Sequence, residues 1–582
     1  MTQKTPTPEI KAPTPANPAP ASLGELFLPK LITVLREGYT LAHLRSDAIA
    51  GLTVAIVALP LSMAIAIAAG ASPAQGIITA IIGGFLVSLL GGSRFQIGGP
   101  AGAFIVLMAT TAQTFGMDGL ILATMMSGAI LMAIGFFKLG TYIKFIPYPV
   151  TVGFTAGIAV IIFASQIRAL LGLELAVDEP GALLEKLPVL WQALPTVDPL
   201  TIAVSAATVL VILGIRRWRP HWPGMLIAVA LAAGATAAFN LPLETIGSRF
   251  GGIPSSLPWP SLPDLSVERV MMLLPSAIAF ALLGSIESLL SAVVADGMTG
   301  RHHRSNSELV AQGVANIGSS LFGGICVTGT IARTATNVRA GAHGPVAGMM
   351  HAGFLLAFIL IAAPLASFIP LACLAGVLAL VAWNMVEKHA FMILLRASRA
   401  DALILLATFG LTIFRDLTEA IIVGFAIGSV VFIHRMSQTT AIESWTPFVE
   451  EDQPDSVTSP ADGKTSPADQ DANILVYRIS GAFFFGAAVS IGSVLERIAD
   501  THRVLIIDFA AVPFVDSTAA HMIEGLVRRA GRRGLPVIIS GASEVVQQSL
   551  VAHEITAPLV SYERDLPPAM RAARAWIETH HA

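Results

Sequence analysis

The chain has 582 residues, of which 54% are apolar and only 13% charged, about half the share of an ordinary soluble domain, and its net charge is −3. A soluble fold of this size would lack the polar surface to cover it, and there is no basic footprint for a nucleic acid. Cys326 and Cys373 lie in apolar runs and read as packing residues, so no disulfide framework and no metal pair is expected.

Residues 1–22 are rich in Pro, Thr and Ala, the composition of a disordered tail. Residues 23–46 intersperse Leu26, Phe27, Leu31, Val34 and Leu35 with Lys30, Arg36 and Arg45, which predicts an amphipathic helix lying in a membrane interface. A charge-poor transmembrane domain over 47–436 follows. No Asp, Glu, Lys or Arg occurs between Asp47 and Arg94, from Phe95 to Met117, or from Leu120 to Phe137. One crossing needs ~20 apolar residues, so this block holds roughly 12 to 14 helices. Spans are predicted at 48–69, 74–91, 97–114, 119–137, 148–171, 199–215, 223–239, 272–295, 308–322, 328–339, 346–363, 370–385, 401–414 and 418–434. Basic residues follow the even-numbered spans (Arg94; Lys138 and Lys144; Arg216, Arg217 and Arg219; Arg301 and Arg304; Lys388, Arg396 and Arg399; Arg435), while the opposite loops are acidic. This asymmetry puts both termini in the cytoplasm of a multi-pass protein of the cell (inner) membrane.

Residues 437–471, with Pro447, Pro454, Pro460 and Pro467 among acidic residues and Ser, read as a linker. From 472 to 582 apolar runs at 474–479, 504–509 and 536–539 alternate with helical patterns at 489–499 and 518–529, which predicts a small α/β domain. The fold class is therefore an all-α polytopic membrane domain plus a small cytoplasmic α/β domain.

Two segments about 230 residues apart echo each other, as inverted repeats do. One reads Ser88-Leu-Leu-Gly-Gly92, then Ile97-Gly-Gly-Pro-Ala-Gly-Ala-Phe104; the other reads Ser320-Leu-Phe-Gly-Gly324, then Val327-Thr-Gly-Thr-Ile-Ala-Arg-Thr334. Each is a long helix ending in Gly-Gly, a short glycine-rich stretch and a new helix start. Half-helix N-termini present free N–H groups and the positive end of the dipole, so a site between them favours an anion. Gly98, Gly99 and Gly102 allow close backbone approach, Pro100 suits a first helical turn, and Thr328 and Thr330 offer hydroxyls. Arg333, one turn into the tenth span, adds positive charge there. Glu287, inside the eighth span, is costly unless it neutralises or binds a cation; Ser291 lies one turn on along the same face. Asp296, Arg301, His302, His303 and Arg304 read as a loop or a fold lock. His351 and Gln166 read as lone polar residues that pack structurally, and Asn306, Glu308, Gln312 and Asn316 as support for the ninth span.

These residues resemble the SulP (sulfate permease) family of anion transporters, whose members end in a STAS domain. Gly51-Leu-Thr-Val-Ala-Ile-Val-Ala-Leu-Pro60 is similar to the family's first-span motif, Ile286-Glu-Ser-Leu-Leu-Ser-Ala-Val-Val-Ala-Asp-Gly-Met-Thr299 and Glu308-Leu-Val-Ala-Gln-Gly-Val-Ala-Asn316 to its eighth-to-ninth region, and Ala332-Arg-Thr-Ala-Thr-Asn337 to its tenth. The resemblance implies about fourteen spans in a 7+7 inverted repeat, core and gate domains that work as an elevator, and a homodimer. It places the anion at Gly99, Pro100, Ala101 and Gly102 and at Ala332, Arg333 and Thr334, and it assigns ion coupling to Glu287 with Ser291 nearby. Val515-Asp-Ser-Thr518 resembles the phosphorylated loop of soluble STAS proteins, with Ser517 as the matching hydroxyl. Two positions depart from the family pattern: Leu61-Ser-Met-Ala-Ile65 stands where many sulfate permeases carry Gln and Tyr, and Ala519 where Gly is common. The first departure is nearer to bacterial members that carry dicarboxylates or bicarbonate.

The resulting expectation is a secondary active transporter of small anions (sulfate, bicarbonate or C4-dicarboxylate), coupled to H+ or Na+, with no cofactor and no enzymatic nucleophile or metal cluster. The expected partners are the anion, the bilayer, a second copy of the chain and a cytoplasmic protein bound to the STAS domain. A passive anion channel and a membrane anion sensor signalling through the STAS domain are the alternatives.

Overall fold

In the computed structural model, the residues described are 27–143, 147–177, 179–180, 183–219, 222–415, 417–438, 441–444, 473–485 and 503–580. The expected tail over 1–22 and the helical pattern at 489–499 lie outside them. A short helix α1 (Lys30–Arg36) precedes α2 (Leu41–Ala68) and α3 (Pro73–Leu90). A two-residue strand β1 (Gly98–Gly99) leads into α4 (Gly102–Phe136), α5 (Tyr148–Leu171), α6 (Leu183–Gln192), α7 (Pro199–Trp218), α8 (Gly224–Phe239) and α9 (Ile246–Phe250). Next come α10 (Val267–Thr299), α11 (Ser305–Leu321), β2 (Thr328–Gly329), α12 (Ile331–Arg339) and α13 (Val346–Ala366). The helices α14 (Leu371–Met385), α15 (Lys388–Ala397), α16 (Arg399–Phe414) and α17 (Leu417–Gln438) complete this part.

Among the described residues nine helices are long and apolar enough to cross a membrane. The fourteen expected spans all fall on helices. The lower count arises because Gly116, at φ 75°, breaks α4 into the third and fourth spans, and because four spans fall on the shorter α8, α11, α12 and α16. A side chain at Gly116 would be strained, so this break belongs to glycine.

Residues 23–46 do not form one interfacial helix. The chain stops after α1, turns at Gly38 (φ 97°), and restarts at Thr40, whose hydroxyl accepts from the His43 N–H (3.4 Å) and caps α2. Helix α1 is held on the loop after α3: Lys30 N–H donates to the Gly91 carbonyl (2.9 Å), Arg304 donates to the Leu28 carbonyl (2.6 Å), and Arg94 pairs with Glu37. That hydrogen bond from Arg94 holds the Glu37 carboxyl below the usual carboxylate range.

The third and tenth spans were expected to begin as helices at 97 and 328. Both begin extended. Gly98 pairs with Gly329 and Gly99 with Thr328 in an antiparallel ribbon, as inverted repeats meeting head-on would. Non-helical backbone at membrane depth survives only inside protein, and every residue from Gly91 to Ala101 and from Gly324 to Thr330 is buried. At a π turn in α3 (Thr79–Gly83) the Thr79 hydroxyl accepts from the Ile325 N–H (2.8 Å), which ties α3 to the approach to β2.

Helix α11 packs along the second half of α4 at a crossing of glycines. A Cβ on Gly313 would stand 2.5 Å from the Gly128 carbonyl oxygen, and one on Gly128 would stand 2.6 Å from that of Gly313. Small residues allow such approach in membranes. Gly313→Leu is therefore expected to cost about 1–3 kcal/mol by overpacking, read as a lowered unfolding midpoint in detergent, while Gly234→Leu, a glycine with open space around it, leaves the midpoint unchanged.

The C-terminal unit is a five-stranded sheet in the order β3 (Ala441–Ser444), β4 (Ile474–Ser480), β5 (Val504–Ala511), β6 (Val537–Ser540) and β7 (Val560–Glu563). Strands β4 to β7 are parallel and β3 pairs antiparallel with β4. Helices α18 (Ser517–Arg532), α19 (Glu544–Ala552) and α20 (Leu566–Thr579) follow the strands. The inner strands are covered on both faces, by one apolar cluster with Ile523 and Leu550 and another with Ala569 and Ile577. This explains why they read as unbroken apolar runs. Residues 441–444, expected within a linker, instead add the edge strand.

Candidate functional site

Because the ribbon is antiparallel, the chain leaves β1 and β2 in opposite directions, and α4 and α12 begin on either side with their N-termini toward it. Arg333 lies in the first turn of α12 and is 1% exposed. Its Nη2 donates to the Ser62 hydroxyl of α2 and to the Pro100 carbonyl, both at 3.2 Å. Its Nε and Nη1 have no partner, and no carboxylate pairs with it among the described residues. Nη1 lies against Gly99 so closely that any side chain there would collide with it. A buried guanidinium with two unused nitrogens and no counter-charge is costly to keep, and it is satisfied by an anion.

The other predicted residues divide between this place and the scaffold. Gly99, Pro100 and Ala101 are buried in the turn that receives Arg333, and Gly102 opens the helix with Ile162 and Met385 as its neighbours. Ala332 is exposed, beside Arg333 on the same turn. Thr334 is a structural tie, since its hydroxyl accepts from the Ile97 N–H (3.1 Å) and from Ser291 (3.0 Å). Thr330 donates to the Ile97 carbonyl (3.2 Å) and Thr328 to the Gly284 carbonyl (3.1 Å), so both hydroxyls are already committed to backbone.

Glu287 is half-buried on α10 and has no hydrogen-bond partner among the described residues. It sits one turn from Gly284 and from Ser291, on the side of α10 that meets the ribbon. The structure does not join Glu287 to Ser291: that hydroxyl faces Thr334, and Ser288 accepts from Gln96 (2.8 Å). The carboxylate is thus left unpaired while its serine neighbours are taken.

Three contributors were not legible as site residues. Ser62 is a hydroxyl in an apolar run two positions after Pro60. Gln96 bridges Ser288 and Glu308 (2.9 Å). Glu308, expected only to support the ninth span, is fully buried and accepts from the Ser93 N–H (2.9 Å), Gln96 and Gln312 (3.0 Å). Asp296 does act as a lock, taking the N–H (3.1 Å) and ring Nδ1 (2.6 Å) of His303. Gln166 bonds to Ser165 (2.9 Å).

In the C-terminal unit, Ser517 is exposed as the first residue of α18. Asp516 already caps that helix, accepting from the Ala519 N–H (2.9 Å) and the Phe485 N–H (3.0 Å), so a carboxylate occupies the N-terminus a phosphate would use.

The sulfate permease family profile matches residues 44–408, and the STAS domain profile matches residues 466–559. The chain belongs to the sulfate permease family. A putative sulfate transporter, YvdB, of Bacillus subtilis is 39% identical over 525 residues, 89% of this chain and 96% of that one. The bicarbonate transporter BicA of Synechocystis is 32% identical over 518 residues, 87% and 90% of the two chains. The solved transmembrane domain of a cyanobacterial BicA, 32% identical, aligns with a TM-score of 0.59 over 66% of this chain and 98% of that one. SLC26A9 shares the fold over 95% of this chain and 94% of its own at a TM-score of 0.81, with 16% identity. The chain is therefore a multi-pass membrane anion transporter with a C-terminal STAS domain and not an enzyme. The ribbon, Arg333 and Glu287 all fall within the span matched by the transporter profile.

Proposed function

We propose that the protein is a secondary active transporter of small anions, drawn from sulfate, bicarbonate and C4-dicarboxylates, coupled to H+ or Na+ through Glu287. The observation that carries this reading is Arg333: a buried guanidinium with two unpartnered nitrogens, at the point where two helices begin. Glu287 supplies the complementary feature, an unpaired carboxylate one turn from the ribbon that a proton or sodium ion would neutralise. The related chains named for sulfate and for bicarbonate support the substrate class.

The way the helices are joined supports an elevator movement. Hydrogen bonds made by side chains tie α2, α3, α10, α11 and α12 together around the ribbon. By contrast α5 meets α16 through Gly153 against the Leu405 carbonyl and Gly157 against Thr412. The first set is built to move as one body carrying the site, and the second to stand as its gate. The working form is a homodimer in the inner membrane with both termini cytoplasmic, and the STAS domain docks a cytoplasmic protein.

The test is uptake into proteoliposomes, with unlabelled sulfate, bicarbonate and succinate competing against the labelled anions under separately imposed proton and sodium gradients. Saturable, gradient-driven uptake of at least one anion is expected. Single-channel currents that ignore cation gradients would establish the channel alternative. Glu287→Gln is expected to abolish gradient-driven accumulation while leaving anion exchange; accumulation that stays fully coupled removes Glu287 from the mechanism.

A further inference from the structure

His351 stands on α13, is 0% exposed, and has no hydrogen-bond partner at either ring nitrogen. Buried imidazoles ordinarily donate from one nitrogen and accept at the other, so a ring with neither is an exception that asks for a ligand. Its ring carbon Cε1 lies beside Gly84 of α3, a glycine that also packs on the Gly98 carbonyl. His351 thus lies against Gly84, which packs on Gly98, and Nη1 of Arg333 lies against the next residue of the strand, Gly99.

Helix α13 packs on α2 and α3. Helix α3 carries no titratable side chain, and α2 carries His43, Arg45 and Asp47, all in its first turns. Asp47 is already taken by the Tyr39 hydroxyl (2.6 Å) and by the N–H groups of His343 (2.6 Å) and Gly344 (3.1 Å), and His43 stacks on His343. Of the remaining cations nearby in the chain, Arg94 pairs with Glu37 and Arg339 is exposed at the end of α12. No carboxylate is paired with either His351 or Arg333 among the described residues.

We propose that His351 is a proton-binding site linked to the transported anion: it takes a proton from water when an anion occupies Arg333 and returns it when the anion leaves. The inference rests on the anion reading of Arg333. A proton on His351 with Arg333 empty sets two positive charges about one strand, in a medium that screens poorly and without a counter-charge. An anion held by Nε and Nη1 of Arg333 supplies that counter-charge to both. Coupling of this kind is reciprocal: whatever the anion adds to proton affinity, the proton adds to anion affinity. Anion binding therefore tightens as pH falls. This proton is separate from the cation at Glu287, which lies on α10.

The test is titration calorimetry on the full-length protein in nanodiscs between pH 6 and 8, in two buffers of different ionisation enthalpy. The probes are sulfate, succinate and, above pH 7.4, bicarbonate. The wild-type protein is expected to take up protons on binding, with an affinity that weakens by up to about tenfold per pH unit as pH rises, the limit for one linked proton. His351→Phe, which loses no hydrogen bond, is expected to take up one proton fewer on binding and to show a correspondingly shallower pH dependence, whichever cation Glu287 binds. Wild-type binding without proton uptake, which needs no variant to observe, overturns the proposal. So does unchanged uptake by His351→Phe. If no probe binds in a manner that Arg333→Gln abolishes, the anion reading itself fails and the linkage falls with it.

Discussion

Arg333→Gln is expected to weaken anion binding by two to three orders of magnitude while leaving the protein as stable as before or more stable. The functional loss follows from chemistry: the free Nε and Nη1 can make charge-assisted hydrogen bonds, each worth about 1.5–3 kcal/mol against a neutral partner's smaller contribution. Removing two of them and the charge behind them accounts for a change of that size. The gain in stability follows from the same burial. A cation at 1% exposure with no carboxylate partner carries an uncompensated desolvation cost, and replacing such a group by a neutral one is neutral or favourable. Gln is too short to keep the bonds of Nη2 to the Ser62 hydroxyl and the Pro100 carbonyl, a neutral-donor loss smaller than the desolvation cost removed. The paired measurement is anion affinity by calorimetry and the unfolding midpoint of the same sample. A variant that loses both function and stability would mean that Arg333 holds the fold. Arg333→Lys separates charge from geometry: it keeps the positive end and loses the planar fork, so intermediate affinity is expected.

Glu308→Ala is expected to show the opposite pattern, a severe loss of stability of about 3–5 kcal/mol, the cost of leaving three buried donors without an acceptor at about 1–3 kcal/mol each. Its two carboxylate oxygens accept from the Ser93 backbone and from the amides of Gln96 and Gln312, all well inside hydrogen-bonding distance. Removing the acceptor leaves these donors buried without partners, and no open water lies at hand because Glu308, Gln312 and Gln96 are each at most 3% exposed. Gln96 also holds Ser288 of α10, so the loss spreads to the helix that bears Glu287. The unfolding midpoint in detergent and the fraction of protein recovered as a monodisperse peak are the readouts. Glu308→Gln, which keeps one acceptor oxygen and turns the other into a clashing donor, should fall between. An unshifted midpoint for Glu308→Ala would remove the carboxylate from the scaffold.

The helical spans and the inner strands of the STAS domain were legible because their signal is local. A stretch that must sit in hydrocarbon excludes charge over its own length, and a parallel strand covered on both faces shows as a continuous apolar run. Strand β3 was not legible: four residues, Ala441–Ser444, pair with β4 across a Pro-rich stretch, and nothing in their own composition distinguishes them from the linker. The break between α1 and α2 turns on Gly38 at φ 97°, which a helical pattern of apolar residues overrides on paper. The echo at 97–104 and 327–334 located the ribbon but not its form, since a Gly-rich helix start and a two-residue strand have the same composition.

The amino-acid order alone therefore settled that the chain lives in a membrane and which stretches are long, apolar and helical, because each of these is imposed by the solvent on a short contiguous stretch. It could not settle which polar side chains in the apolar block are satisfied. Thr328, Thr330, Ser291 and Glu308 have the composition of ligand groups and turn out to be bonded to the protein itself; Arg333 and His351 keep nitrogens free. The partners that decide the matter stand far along the chain, 271 residues from Arg333 to Ser62 and 212 from Glu308 to Gln96. Hydrogen bonding acts over 3 Å of space, and only folding brings such pairs that close.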